Sequence, residues 1–506
     1  MSRTSRNFVI AYILLVGLPL LALLGVLRRG RAVTAPVSVN ATLKAPSDSG
    51  NTATARRAPY PETNSQPEGR GMPMPNLFTL VLQIAVVLSA CRLTGALFRK
   101  IHQPRVVGEM FAGIMLGPSL LGWIAPSISA YLFPPSSLGF LNALSQLGVV
   151  IFMFLVGLRT DPEELKGQGH AALLTSHVGI TAPFVLASLL SLYLYPRLSD
   201  DSVSFTSFTL FMGAAMSITA FPVLARILQE RNMMSSRLGT VAIAAAALGD
   251  VTGWCILAYI VVQIRSAHSA TSIWVTVSGI ILFGLVMIYG VSRFLRSFEK
   301  VYRETGKLTE NRMAFLLLLI LIACLCTERL GIHLLFGAFL MGAIMPKEHR
   351  FVRYLIDRFE TITVTLLLPL FFAFTGLRTN IGLVKGHEMW MYCGLIILVA
   401  TVGKFGGSTL ASSLTGMPLR EAAGLGILMN TRGLMELVIL DIGLDIGVIS
   451  PALFSMMVVM ALFTTFLTTP VLKLLCPAEL YAGVADKLGA QSAGQAALQS
   501  AEGSAA

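Results

Sequence analysis

An all-α, polytopic membrane bundle built from inverted-topology six-helix repeats is the fold class this sequence predicts, and three observations predict it. Apolar runs of about twenty residues, the length that crosses a bilayer, recur along the chain between short basic loops. Two pairs of motifs echo each other seven runs apart. Two runs are interrupted in the middle by polar or helix-breaking residues, and the run after the first of them carries a lone carboxylate.

With 506 residues the chain could hold two or three soluble domains, but a composition of 55% hydrophobic and 13% charged residues excludes them. The net charge of +12 does not point to nucleic acid, because the basic residues gather in loops between apolar runs. The cysteines, Cys91, Cys255, Cys324, Cys326, Cys393 and Cys476, form no CxxC pair and no secreted disulfide pattern. The seven histidines form no HExxH, so no zinc site is expected.

Residues 1–28 read as a signal-anchor or signal peptide, an apolar run at 8–27 flanked by Arg3, Arg6, Arg28 and Arg29. Residues 29–75, rich in Pro, Ser, Thr, Asn and Gly, read as a flexible linker. Residues 76–475 hold thirteen spans, near 76–98, 106–124, 138–158, 169–195, 205–228, 237–264, 270–294, 311–330, 332–346, 360–378, 388–413, 421–446 and 450–475. Residues 476–506, rich in Ala, Gly and Ser, read as a disordered tail. The odd-numbered connections are basic: the seventh has six Lys and Arg from Arg293 to Arg312, while the second, after Trp123, has no charge. The positive-inside rule therefore puts Asn76 outside and the C-terminus inside. A retained N-terminal helix would begin inside.

IFMFLVGLRTDPEEL (151–165) echoes LFFAFTGLRTNIGLV (370–384), with GLRT closing the third and tenth spans. GEMFAGIMLGP (108–118) echoes GIHLLFGAFLMGAIMP (331–346) in the second and ninth. An offset of seven spans is odd, so the copies must lie in opposite orientations, as in secondary transporters. The fifth span then corresponds to the twelfth. The fifth holds Ser217, Thr219 and Pro222 in SITAFPVL; proline removes a backbone donor, so carbonyls and hydroxyls there can face a ligand. The twelfth carries Asn430, Thr431, Arg432 and Gly433 in mid-span.

Asp250 stands alone in an apolar stretch of the sixth span, where a carboxylate is costly and marks function. Lys404, among glycines in VGKFGG of the eleventh span, is a second costly charge with Asp250 as the expected partner. Arg432 and Glu436 stand four residues apart and suit an ion pair, with Arg432 offsetting negative helix ends at the breaks. A broken helix beside a buried acid predicts a site for a monovalent cation at Asp250, with Thr219 and Ser217 as further ligands.

QPRVVGEMFAGIMLGPSLLG, FLVGLRTDP, SITAFPVLARIL, GDVTGW, VGKFGG and MNTRGLMELVIL together resemble the monovalent cation:proton antiporter-2 family over residues 76–475. The resemblance implies a thirteen-helix fold with a dimer-forming domain and a mobile core that moves as an elevator. It implies a homodimer in the cell (inner) membrane, exchange of Na⁺ or K⁺ for protons, pH homeostasis, and no cofactor. Asp250 matches the family's ion-binding carboxylate, Thr219 and Pro222 the first broken helix, Lys404 the core lysine, and Asn430 to Gly433 the second broken helix. The family has Asp or Asn before that carboxylate, and this chain has Gly249. One carboxylate at the site predicts electroneutral exchange, one proton per cation. The short tail has no room for the nucleotide-binding domain of some potassium-efflux members.

Two other readings compete. Gly249 would suit an ion-responsive sensor of the same fold without transport. An intramembrane aspartyl protease would need a GxGD motif and a second catalytic Asp in a matching span, and the sequence has neither, so no enzyme is expected.

Overall fold

The computed structural model describes residues 11–30, 32–33, 77–101, 103–159, 169–200, 202–231, 233–234, 236–267, 273–331 and 333–476. Residues 1–10, Thr160, the tail beyond Cys476, and the linker except Arg29, Gly30, Ala32 and Val33 lie outside the described residues. All regular elements among the described residues are helical, as lipid requires of a chain that must satisfy its backbone internally. Among the described residues twelve helices are long and apolar enough to cross a membrane, the N-terminal Ile13–Gly30 included, and thirteen if the bent pair Leu419–Met429 and Leu434–Asp445 is one span. This is an integral, multi-pass membrane protein.

The fifth span divides into Phe205–Ser217 and Phe221–Glu230, and the sixth is Arg237–Ala267. Side-chain caps start several spans: Ser204 accepts from Ser207 N at 3.1 Å, and Ser450 from Leu453 N at 3.3 Å. The ninth run differs from its expected length. Its helix is Leu335–Ala343, nine residues and roughly 14 Å at 1.5 Å per residue. It still delivers the chain to the basic face, where Lys347 Nζ donates to Gly157 O and Leu158 O at 3.0 Å each. Irregular backbone at membrane depth persists where protein covers it.

The helices gather into two bodies. Spans 1, 2, 3, 8, 9 and 10 pack together, and spans 4, 5, 6, 11, 12 and 13 form the other. The motif echoes hold the first body together by docking across the repeat. A Cβ added to Gly342 in span 9 would lie 2.0 Å from Phe154 O in span 3, and one on Gly157 would lie 2.0 Å from Phe339 O. In the symmetric contact, a Cβ added to Gly113 of span 2 would lie 2.7 Å from Ala373 Cα in span 10, and one on Gly376 would lie 2.3 Å from Gly113 C. Each motif of one copy thus packs on the other copy's partner motif, and only glycine lets the backbones come that close.

The N-terminal helix lies along spans 4 and 5 of the second body. Tyr12 meets the His177 ring edge-on at 5.7 Å, and Gly30 packs on the Phe205 ring. It therefore runs in the direction of span 4 and starts on the same face.

The docking predicts a matched pair of defects. Gly113→Ala and Gly342→Ala should each lose about 1–3 kcal/mol through overpacking. Both should lower Tm in detergent by several degrees. Gly394→Ala, a helical site with nothing within 4 Å of the new methyl, should not lower it.

Candidate functional site

The two broken spans cross at their breaks and are bonded to each other there. Ala220 N donates to Thr431 O at 3.0 Å, and Thr219 Oγ1 donates to Met429 O at 3.1 Å. Thr465 of span 13 fastens the second break, its Oγ1 accepting from Arg432 N at 2.9 Å and donating to Arg432 O at 2.8 Å. Pro222 does not kink a continuous helix. It lies in the first turn of Phe221–Glu230, where no backbone donor is needed, and the break precedes it at Ile218–Ala220.

A helix that stops inside the membrane leaves its last carbonyls unbonded and its negative end exposed. For Phe205–Ser217 two cations take these carbonyls. Arg432 Nη1 donates to Ala215 O at 3.0 Å and Nη2 to Met216 O at 2.7 Å, and Lys404 Nζ donates to Ser217 O. Arg432 Nη1 also pairs with Glu436 Oε2 at 3.1 Å, both side chains fully enclosed. The matching helix Leu419–Met429 ends instead on hydroxyls, with Thr219 on Met429 O and Thr431 Oγ1 on Leu428 O at 2.8 Å.

Lys404 does not pair with Asp250 as the sequence suggested: no ion pair joins them within 4.0 Å among the described residues. The reason is the broken helix. Its terminal Ser217 carbonyl offers the ammonium an acceptor that an unbroken helix would have used up. Lys404 itself lies in a wide π-helical turn, Val402–Gly406. Such turns often accompany functional sites.

Asp250 is 4% exposed, and its Oδ1 has no hydrogen-bond partner among the described residues. It stands at the foot of a small cavity lined by Val156, Arg159, Phe221, Pro222 and Ala247. The cavity therefore unites Asp250 with Pro222. Ser217 and Thr219 are not among its walls. The Ser217 hydroxyl donates to Gly213 O at 2.5 Å and Ile180 O at 3.0 Å. Asn430 is fully buried with both side-chain atoms unpartnered.

The sequence reading missed Arg159 as a wall of this cavity and Arg378 as its counterpart at the other end of the repeat, although the GLRT echo marks both. Arg378, ending span 10, crosses to span 12, with Nη1 on Asp441 Oδ1 and Nη2 on Asp445 Oδ1, both at 2.6 Å. Gln146 of span 3 joins it through Asp441 Oδ2 at 3.3 Å. Arg159 stays within its own body and pairs with Glu360 at 2.7 Å, beside the cavity.

Inverted repeats, two crossed half-helix pairs and an isolated acid at their side define a secondary transporter of ions. The sodium/hydrogen exchanger transmembrane family model matches residues 85–476, and the chain belongs to that family. It is 40% identical over 406 residues to the Na(+)/H(+) antiporter NhaS4 of Synechocystis sp., covering 80% of this chain and 99% of that one. It is 43% identical over 392 residues to cation/H(+) antiporter 17 of Arabidopsis thaliana, 77% of this chain and 47% of the relative. It is 32% identical over 420 residues to K(+)/H(+) antiporter 1 of Saccharomyces cerevisiae, 81% of this chain and 48% of the relative. The chain thus spans about half the length of the plant and yeast relatives. The fold matches the sodium proton antiporter MjNhaP1 of Methanocaldococcus jannaschii with a TM-score of 0.56 at 16% identity, covering 82% of this chain and 98% of that one.

The caps predict an order of stabilities. Arg432→Met strips two carbonyls and leaves Glu436 buried without its partner, which costs about 3–5 kcal/mol. Lys404→Met strips one charged hydrogen bond, about 1.5–3 kcal/mol. Tm in detergent should fall further for Arg432→Met, and Arg432→Met combined with Glu436→Gln should recover part of the loss.

Proposed function

We propose that this protein exchanges a monovalent cation, Na⁺ or K⁺, for protons, and that both occupy the Asp250 carboxylate in turn. The observation that carries this reading is the unpartnered, nearly enclosed Asp250 oxygen at the foot of a cavity. Lys404 lies within electrostatic reach of Arg432, Asp250 and Glu436, so two acids and two bases make up the centre. When all four are ionised the centre is neutral. A proton or a monovalent cation at Asp250 adds the same single charge, so one can replace the other without a new electrostatic cost. Carboxylate and carbonyl oxygens suit hard cations. The names of the Synechocystis and yeast relatives, a Na(+)/H(+) and a K(+)/H(+) antiporter, support the same exchange.

The two GLRT arginines support an elevator motion of one body against the other. On the outer face Arg378 and Gln146 of the first body hold Asp441 and Asp445 of the second. On the basic face no described ion pair of Arg159 crosses between the bodies, and the cavity reaches Asp250. The arrangement is an inward-facing state latched on the outside. Outward access then requires the Arg378 latch to open while the crossing, with its caps, travels as a unit inside the second body.

Two experiments test the reading. In proteoliposomes, Asp250→Asn should insert and fold but show no Na⁺- or K⁺-driven proton movement above empty vesicles; wild-type exchange by this variant refutes Asp250 as the shared site. Arg378→Gln should open the outer face. A cysteine at Ser145, one residue from Gln146 and fully buried, should then react several-fold faster with an impermeant thiol reagent added outside, in a background cleared of native cysteines. An unchanged rate argues against the latch.

A further inference from the structure

Span 11 carries a polar stripe that the cavity at Asp250 does not use. Lys404, Ser408 and Ser412 follow at four-residue spacing, and Thr415 continues the stripe to the basic end of the span, its Oγ1 donating to Ser412 O at 2.7 Å. The π-helical turn at Val402–Gly406 keeps Lys404 in line with Ser408. The stripe faces span 4, where Thr175 Oγ1 and Ser412 Oγ share a hydrogen bond of 3.0 Å. Ser176, Ser408, Thr175 and Ser412 are all buried.

Two of these hydroxyls, Ser176 Oγ and Ser408 Oγ, have no hydrogen-bond partner among the described residues. Each faces a glycine. A Cβ on Gly179 would lie 2.8 Å from Ser408 Oγ, and a Cβ on Gly249 would lie 3.4 Å from Ser176 Oγ. An unpartnered hydroxyl in an apolar interior is costly, about 1–3 kcal/mol, unless something polar meets it. At Gly179 the absent side chain lets Ser408 Oγ lie close against the backbone, and at Gly249 it leaves Ser176 Oγ with no side chain facing it from that position. Small polar sites of this kind hold ordered water.

We propose that the interface of spans 4 and 11 is a proton route, a chain of hydroxyls and bound water from the basic face at Thr415 and Ser412, through Ser408 and Ser176, to Lys404 and Asp250. It rests on the antiport reading and adds to it a path for protons separate from the Arg159 cavity, which is left to the cation. The steps between stripe positions are one helical turn, about 5.4 Å, a gap that one water bridges. A hydronium at the basic face gives its proton to the first oxygen. Each oxygen passes on the hydrogen it held, and the last gives one to the Lys404 amine or the Asp250 carboxylate. One proton enters and one arrives, with no other change in bonding. Gly249 is then functional as a gap: it frees the Ser176 hydroxyl beside the ion-binding carboxylate.

The test uses the full chain in proteoliposomes with a pH dye inside, Na⁺ as substrate, and wild type and Asp250→Asn as bounds. Ser408→Ala combined with Ser176→Ala removes both free hydroxyls, and Gly179→Ala fills the space while keeping them. Both variants should lower the proton-limited maximal rate about tenfold, the low end of what a positioned proton-transfer group supplies. The Na⁺ concentration for half-maximal rate should stay within twofold, and the rate should become more sensitive to replacing H₂O by D₂O. The hydroxyl-deleting variant adds no atoms, so it reports even if Gly179→Ala fails to fold. A wild-type maximal rate in that variant overturns the route, as does a loss of rate matched by a shift in Na⁺ half-saturation, which would place the serines in the cation site. Absence of exchange in the wild type would instead overturn the antiport reading.

Discussion

The capping of one interrupted helix is the interaction on which the rest depends. Phe205–Ser217 ends in the middle of the membrane with its negative pole toward the centre. Without water, its last carbonyls need donors from elsewhere in the chain. Arg432 and Lys404 supply them. Both cations are thereby committed to backbone, and Asp250 keeps an oxygen free of any protein donor. A direct Lys404–Asp250 pair would have closed that oxygen to a cation. The broken helix thus makes an available carboxylate compatible with a nearby lysine.

The second consequence concerns which parts can move. The crossing is bonded inside one body, through Ala220, Thr219, Thr465 and the two cations, and it has few ties to the other. The first body is held by backbone approaches at Gly113, Gly157, Gly342 and Gly376, which tolerate no sliding. Between the bodies the described ion pairs join Arg378 to Asp441 and Asp445, with Gln146 beside them, and at the other end Gln103 Nε2 donates to Phe466 O at 3.1 Å. Two bodies joined chiefly by charged contacts at one end suit the alternating access proposed above.

The repeats are not equivalent in chemistry, and the proposed cation site and proton route both rest on that difference. Span 4 and span 11 correspond, yet only span 11 carries the lysine and its serine stripe. Span 5 ends on cations and span 12 on hydroxyls. Symmetry sets the scaffold, and local differences on it create a single polar centre.

Much of this was legible in the sequence. Apolar runs of bilayer length determine the helices, because lipid allows no other open-chain structure. The GLRT and glycine echoes determine the inverted repeat, since an odd offset reverses direction. A lone Asp250 and a lone Lys404 in apolar spans mark the candidate centre, because buried charge is costly to keep without use. Tertiary structure alone decided the partners. Lys404 reaches Ser217 O, 187 residues away in the chain, and Arg378 reaches Asp441, 63 away. Such pairings follow from how helices cross, which pattern along one helix does not encode. The ninth span's short helix is likewise a tertiary outcome. Its residues are apolar enough to span, but covering by span 3 removes the need for a full-length helix.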